Sequence, residues 1–476
     1  MSPRAIPLIP GAPPVAVRGF ALDSRKVEQG FVFGAFAGAH ANGEDFIAAA
    51  AAAGAVAVVA RPEATVPAGV LHVADAEPRR RFAELAAAFY QPGPAMLAAV
   101  TGTNGKTSVV DLARQLWKLL GARAASIGTL GVIADTEARD LGMTSPDAAT
   151  FHRLLGALAG DGVDHAIYEA SSHGLDQFRV HGRAVQVAAF TNLSRDHLDY
   201  HGTMEAYFAA KLQLFTQVLA EDGTAVVWAD DAPWSGRVIA ACRARGVRVL
   251  DVGQQAATLT LKARAVQPTG QRLHLIHEGA GYSVALPLIG AYQAANALVA
   301  AGVALASGFA PVQVFAALEH VCGVPGRLEH VGATRMGADV FVDYAHTPDG
   351  LKAAIDALRP HTRGKLIVVF GCGGDRDGGK RPQMGAIATQ LADSVIVTDD
   401  NPRSEQPAAI RRSILAAAPG AREIGDRAQA IAAAIGEARA GDIVLIAGKG
   451  HEQGQIVGNS VLPFDDRVVA RQAVAA

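Results

Sequence analysis

The stretch AAVTGTNGKTSVVDLARQLWKLLG, Ala98 to Gly121, constrains the fold more than any other part of the chain. An apolar run that reads as a strand leads into a short loop holding Gly102 and Gly105. A helix with apolar residues at Val109, Leu112, Leu116 and Leu119 follows. The loop's backbone N–H groups and the positive end of the helix then converge on one point, which makes a cradle for phosphate. Lys106 lies where a P-loop lysine reaches terminal phosphates, and Thr107 where the hydroxyl joins Mg²⁺. Against the general pattern GxxxxGK[ST], Val100 stands at the first glycine, so the loop is a variant. An ordinary strand-to-helix turn is the competing reading.

A chain of 476 residues exceeds what one core holds, and two to four domains are expected. The formal net charge of −2 argues against a protein that coats nucleic acid, because that requires a basic surface. Small anionic ligands remain open. Cys242, Cys322 and Cys372 form no CxxC pair, which fits reduced thiols in the cytoplasm. The residues MSPRAIPLIPGAPPVAV are broken by prolines and lack the apolar core of a signal peptide. The longest apolar run, Phe46 to Ala60, contains Gly54 and is too short for a membrane span. A cytoplasmic protein without membrane attachment is expected.

Up to about Ala95, FVFGAFAG and GAVAVVA read as strands and AEPRRRFAELAAAFY as a helix, with Pro92, Gly93 and Pro94 as a linker. From Met96, strand and helix alternate, which indicates a parallel sheet covered on both faces. DHAIYEASSHGL delivers Glu169 at a strand end, and VQVAAFTNLSRDHLDYHGT delivers Asn192, Asp196, His197, Asp199 and His201. Between Gly223 and Leu288, TAVVWAD, LTLKARAVQ, RLHLIHE and SVALPL suggest a smaller, partly antiparallel sheet attached to the central one. GAYQAANALVAAGVALASG reads as a helix containing Asn296. Beyond VCGVPGRLEHVG, four apolar strands each precede a polar or Gly-rich turn: ADVFVDYAHTPDGL, KLIVVFGCGGDRD, DSVIVTDDNPR and GDIVLIAGKGHE. This is a second α/β unit with a chemically dense rim.

GDRDGGK matches GxxxxGK, but Arg381 follows where Ser or Thr is needed. It reads better as an anion-binding turn in which Arg376 faces a carboxylate. Glu169 is a hard oxygen ligand suited to Mg²⁺. His197 alone reads as a hydrogen-bonded structural residue, and Lys211 in YFAAKLQLF as a solvated lysine at a helix edge. Asp400, Asn401 and Arg403, with Pro402 setting the turn, and Gly448, His451 and Glu452 lie at two strand ends. An Arg for a carboxylate and a Glu for an ammonium would suit a zwitterionic amino acid.

TGTNGKTS, YEASSHGLDQFRV, TNLSRDHLDYHGTMEAYFAAKLQLF, VPGRLE, DYAHTPDGL, GCGGDRDGGKRP, DNPR and GKGHE resemble, in order and spacing, the motifs of the Mur ligases. Within that family the resemblance is to the members that add meso-diaminopimelate to UDP-N-acetylmuramoyl-L-alanyl-D-glutamate in peptidoglycan precursor synthesis. It implies three α/β domains: residues 1–95 for the uridine nucleotide, 96–329 a P-loop ATPase domain with the small antiparallel sheet, and 330–476 a Rossmann-like domain. It implies ATP and one or two Mg²⁺ ions as cofactors, small-molecule substrates, and a D-Glu carboxylate activated as an acyl phosphate. A monomer is expected.

The resemblance also distributes roles. Thr101, Gly102, Thr103, Asn104, Gly105, Lys106, Thr107 and Ser108, with Asn296, Arg327, Asp343 and His346, would meet ATP. Thr107, Glu169, His197 and Lys211 would hold Mg²⁺, Lys211 as a carbamate formed with CO₂. Lys106, His197 and Lys211 would be catalytic. Leu22, Ser24 and the loop Ala39, His40 and Ala41 would bind the uridine nucleotide, and Thr144, Ser145, Ser171, Gln177 and Arg179 the muramoyl-dipeptide. Arg376, Asp400, Asn401, Pro402, Arg403, Gly448 and Glu452 would hold diaminopimelate, with Arg403 on its far carboxylate. Lysine has no second carboxylate, so members that add lysine tend to lack this arginine. Ser145 replaces a usual Thr, and Tyr292 and Gln293 a common Phe and Asn. A sibling ligase adding lysine or another diamino acid is the near alternative. A nonenzymatic nucleotide switch is the distant one, and it has no need of the dense C-terminal rim.

Overall fold

The computed structural model describes residues 3–38, 41–134, 138–139, 144–267 and 270–475. Three α/β units follow one another along the chain. In the first, strands Gly19–Ala21, Phe31–Gly34, Ala57–Ala60 and Leu71–Ala74 pair in parallel in that order. Helix Pro78–Phe89 covers them, with Phe82 edge-on to Phe20 at 5.4 Å between ring centroids. A short antiparallel pair, Arg4–Ile6 with Val15–Val17, lies outside this sheet.

The central sheet has eleven strands among the described residues. Its heart is parallel, in the spatial order Ala124–Gly128, His165–Glu169, Met96–Thr101, Val185–Phe190, Leu219–Trp228 and Arg248–Gly253. Antiparallel pairings extend both edges, on one side only after Leu259–Gln267 has joined in parallel. Leu259–Gln267, Gly270–His277 and Ala280–Leu286 continue the sheet rather than forming one of their own, joined through Val252 opposite Leu259 and Gly253 opposite Thr260. Register places Val100 opposite both Glu169 and Ala189, so three parallel strands finish side by side.

Helix Lys106–Leu119 returns over this sheet. Val109, Leu112 and Leu116 are fully buried there, as their spacing predicts, whereas Leu119 is 49% exposed. Helix Ala291–Ala306 packs beside it, built largely from alanine. Small residues allow close approach: a Cβ at Gly302 would sit 2.7 Å from Val226.

The C-terminal sheet orders Glu329–Ala333, Asp339–Asp343, Ile443–Ala447, Leu366–Phe370, Ser394–Val397 and Arg422–Glu423, with only the first strand antiparallel. Its parallel strands end in the four polar loops read from the sequence, which therefore share one rim. Among the described residues no helix is long and apolar enough to cross a membrane.

His152, in helix Ala148–Gly160, is fully buried with Nε2 2.7 Å from the His181 carbonyl. Burial pushes its pKa down to about 4. Above pH 6.5 the imidazole is neutral whether the chain is folded or unfolded. Between pH 6.5 and 4 the unfolded chain takes a proton that the folded chain refuses, so stability falls as pH falls, by up to about 3 kcal/mol. His152→Gln should flatten this part of the curve. The check is the urea midpoint from pH 7 to pH 4; a variant that loses stability as steeply as the wild type overturns the assignment.

Candidate active site

A cavity of about 490 Å³ lies between the central and C-terminal units, with Lys106, Thr107 and Glu169 on one wall and Arg327, Asp343 and His346 on the other. The phosphate loop forms its floor. Gly102 has φ +150° and Gly105 φ +88°; a Cβ would lie 1.9 Å from Thr191 Oγ1 at the first and 2.4 Å from Asn296 Oδ1 at the second. Both glycines are thus required by space and by backbone angle. Val100 is an ordinary buried residue inside the strand, where no glycine is needed. The departure from the general pattern therefore costs the loop nothing. The loop is pinned from the neighbouring strand end, where Asn192 O accepts from Thr103 N at 2.8 Å and Asn192 Oδ1 from Asn104 N at 2.9 Å. Thr101, by contrast, turns away from the cavity and donates to Ala170 O at 2.8 Å.

Two lysines meet at one carbonyl. Lys106 Nζ donates to Gly102 O at 2.9 Å and to Thr103 O at 2.8 Å, and Lys211 Nζ donates to the same Gly102 O at 2.7 Å. Lys211 is 1% exposed and lies 4.5 Å from the Tyr207 ring centroid, so it is not the solvated lysine that its helix position suggests. Its helix, Met204–Gln213, ends beneath the phosphate loop and carries the side chain inside. Burial, and then the charge of Lys106, drive its pKa well below the ordinary value. Burial also lowers the pKa of Lys106, against the pull of Glu169 and Asp196.

Glu169 is 2% exposed; its Oε1 accepts from Thr129 N at 2.7 Å and its Oε2 from Thr129 Oγ1 at 3.1 Å. It makes no ion pair among the described residues, although its charge acts on Lys106, and a buried carboxylate bonded only to neutral donors fits a cation. No group of three or more His, Cys, Asp or Glu is gathered for a metal among the described residues. Thr107 Oγ1 accepts from Arg327 Nη2 at 3.0 Å, while the buried Arg327 Nη1 has no hydrogen-bond partner among the described residues, so a donor stands ready for an anion. Asp343 holds the facing turn, accepting from Leu328 N at 2.6 Å, Ala345 N at 2.7 Å and Tyr292 Oη at 3.1 Å. Tyr292 thus carries a structural hydrogen bond. Partial burial holds His197 toward its neutral form, against the nearby Asp196, and burial and then Lys380 do so for His346.

A second cavity, of about 170 Å³, lies between the first and central units and includes Leu22, Phe36, Arg79, Gln177 and Arg179 in its lining. A hydrogen-bond path joins the two cavities: Ser145 Oγ donates to Glu169 O at 3.1 Å and meets Ser171 Oγ at 3.0 Å, Arg179 Nη1 donates to Ser145 O at 2.9 Å, and Arg179 Nη2 to Gln177 Oε1 at 2.7 Å. Thr144 Oγ1 lies 3.1 Å from Thr129 Oγ1, beside Glu169. Ser24 opens a 3-10 turn outside both cavities, and Ala41 O accepts from Gly38 N. Ala39 and His40 lie outside the described residues.

On the C-terminal rim, Asn401 Nδ2 donates to Glu452 Oε2 at 2.9 Å, and Arg403 Nη1 to Gly374 O at 2.8 Å. Arg403 has φ +51°, a conformation fixed by its N–H on Ile456 O and by Gly458 N on its carbonyl. Tyr344 links this rim to the main cavity, with its ring 5.2 Å from that of His451. Arg376 stands exposed, donating to Asp375 O at 3.3 Å; the guanidinium–carboxylate fork of this loop belongs to Arg381 with Glu405. Sequence reading passed over Lys449, although it lies within GKGHE. It is fully buried, with Nζ 2.9 Å from Asn401 Oδ1 and 3.1 Å from Glu452 Oε2. It also passed over Arg195, whose Nε pairs with Asp377 Oδ2 at 3.0 Å across the main cavity's edge.

The Mur ligase middle domain model matches residues 100–304, the Mur ligase glutamate ligase domain model residues 326–450, and the Mur ligase family catalytic domain model residues 16–90. The chain belongs to the Mur ligase family. It is 59% identical over 462 residues to the UDP-N-acetylmuramoyl-L-alanyl-D-glutamate--2,6-diaminopimelate ligase of Zymomonas mobilis, covering 96% of this chain and 95% of that one. It is 52% identical to the protein of the same name from Bradyrhizobium diazoefficiens, covering 98% and 96%. A solved structure with that name superposes on this Mur ligase with TM-score 0.71 and 35% identity, covering 98% and 96%. MurF from Acinetobacter baumannii shares the fold, with TM-score 0.65 at 19% identity, covering 92% and 91%.

Gly105→Ala should weaken ATP binding to this Mur ligase by tenfold or more, roughly 1.4 kcal/mol, because the added methyl strains a left-handed residue and displaces Asn296. Calorimetric titration with ATP checks this, and an unchanged Kd overturns it.

Proposed function

We propose that this Mur ligase is an ATP-dependent ligase that joins meso-2,6-diaminopimelate to UDP-N-acetylmuramoyl-L-alanyl-D-glutamate. The observation that carries the reading is a phosphate loop and a buried Glu169 in one cleft, with Tyr344 of its wall against His451 of the rim that bears Arg403 and Glu452. The name shared by its relatives agrees with it. The domain limits are taken at 95/96 and 329/330. A single chain supplies both cavities, which supports a monomer, and ATP and nucleotide-linked substrates together with three free cysteines support the cytoplasm.

The uridine end would occupy the cavity at Leu22 and Arg179, with the peptide following the path of Ser145 and Ser171 toward Glu169. There the D-Glu side-chain carboxylate attacks the γ-phosphate of ATP, and ADP leaves an acyl phosphate. The diaminopimelate amine attacks that carbonyl and expels phosphate. Lys106 exchanges the carbonyls of Gly102 and Thr103 for phosphate oxygens, and Arg327 Nη1 supplies a second donor, so the charge that develops meets fixed positive groups. Thr107, Glu169, His197 and Lys211, the last as its carbamate, would hold Mg²⁺, which supplies positive charge between the two anions. A neutral amine at Lys211 is the form that reacts with CO₂, and its burial beside Lys106 favours that form. Asn401 and Glu452 would receive an ammonium and Arg403 the far carboxylate.

An amino-acid competition assay with ATP and the UDP-muramoyl-dipeptide, scored by product mass, should give the diaminopimelate product almost exclusively. Turnover with lysine at least equal to that with diaminopimelate overturns the choice of substrate. Arg403→Ala should raise KM for diaminopimelate by about tenfold or more while leaving KM for ATP nearly unchanged. Equal changes in both would remove Arg403 from this role.

A further inference from the structure

Arg427 opens helix Arg427–Glu437 and Asp466 opens the C-terminal helix Asp466–Ala475; both side chains are fully buried. They form a two-pronged pair, with Arg427 Nε to Asp466 Oδ1 and Nη2 to Oδ2 both at 2.7 Å. The remaining donors go to two backbone carbonyls, Nη2 to Ala447 O at 3.0 Å and Nη1 to Asp399 O at 3.3 Å. These carbonyls stand immediately before Gly448–Glu452 and Asp400–Arg403, the two loops assigned above to the amino acid. One rigid planar group therefore ties the roots of both loops together. Above it the loops touch: Gly448 has φ +118°, and a Cβ there would lie 2.7 Å from Asp400 Oδ2 and 3.7 Å from Arg427 Nη2. Lys449 joins the same loops nearer their tips, through Asn401 and Glu452.

A buried ion pair adds little net stability over well-packed apolar residues, because desolvation cancels most of the attraction. An apolar pair, however, offers nothing to the carbonyls of Asp399 and Ala447. We propose that Arg427 and Asp466 are positioning residues for the amino-acid substrate: Asp466 neutralises and orients the guanidinium, and the guanidinium sets the spacing of the loops that carry Arg403 and Glu452. This rests on the reading of those loops given above. It makes the C-terminal helix, remote from the nucleotide, a determinant of amino-acid affinity.

The test uses the full-length enzyme with Asp466→Asn, which keeps the shape and removes the charge, and Arg427→Lys, which keeps the charge and loses the fork. Each should raise KM for diaminopimelate about tenfold or more while KM for ATP and for the UDP-muramoyl-dipeptide stays within about twofold. Amide exchange should quicken at 399–403 and 448–452 and nowhere else in the C-terminal unit. Three KM values rising together, or kcat falling with KM for diaminopimelate unmoved, overturns the proposal. If Arg427→Lys does not fold, Asp466→Asn decides; if neither folds, the pair is structural and the proposal fails. Arg403→Ala separates the two levels. Should it raise KM while Asp466→Asn does not, the site stands and the role of the pair falls. Should it leave KM unmoved while Asp466→Asn raises it, the pair stands and the assignment of Arg403 falls.

Discussion

Val100 pairs with Glu169 on one side and with Ala189 on the other, and most of the chemistry of this protein follows from that register. Parallel strands that finish level release their chains at the same height. The phosphate loop and the Asn192 turn are therefore hydrogen-bonded to each other, and the buried carboxylate lines the same cavity. A shift of one residue would turn every side chain of a strand to the opposite face and take Glu169 out of the cavity. Asn192 then braces the loop through both its carbonyl and its side chain, so the geometry of the phosphate site depends on the neighbouring strand as much as on the glycines.

Lys106 and Arg327 bring positive charge close together here, with no ion pair to either among the described residues. Lys106 and Lys211 share the carbonyl of Gly102, and Arg327 keeps one buried donor without a hydrogen-bond partner among the described residues. Groups held in this way gain when an anion arrives, because it satisfies them and their mutual repulsion is relieved together. Burial, and then the charge of Lys106, hold Lys211 toward the neutral amine, the form that the carbamate proposed above requires.

Local pattern made some of this legible in the sequence and left the rest hidden. The strand, loop and helix around Lys106 could be read because backbone conformation writes itself in glycines and in apolar spacing. Glu169 could be placed because ligands gather at the ends of parallel strands. Lys211 could not: its helix spacing is that of a surface lysine, and only the packing of that helix end beneath the phosphate loop buries it. Resemblance to a family supplied what chemistry alone did not. Arg427 and Asp466 are 39 positions apart, and neither sits in a motif, so nothing local announces that they meet. Arg376 shows the opposite case, in which a residue that looked suited to a carboxylate stands exposed while Arg381, set aside as a failed P-loop position, makes the fork with Glu405.

Arg195 and Asp377 meet where the central and C-terminal units face each other across the main cavity, and the arginine side chain is 49% exposed. Water and salt reach such a pair freely, so it contributes at most about 1 kcal/mol. It is a catch that releases easily. The walls are also joined inside the cleft, where Tyr292 Oη donates to Asp343 and Arg327 Nη2 to Thr107, out of the easy reach of salt.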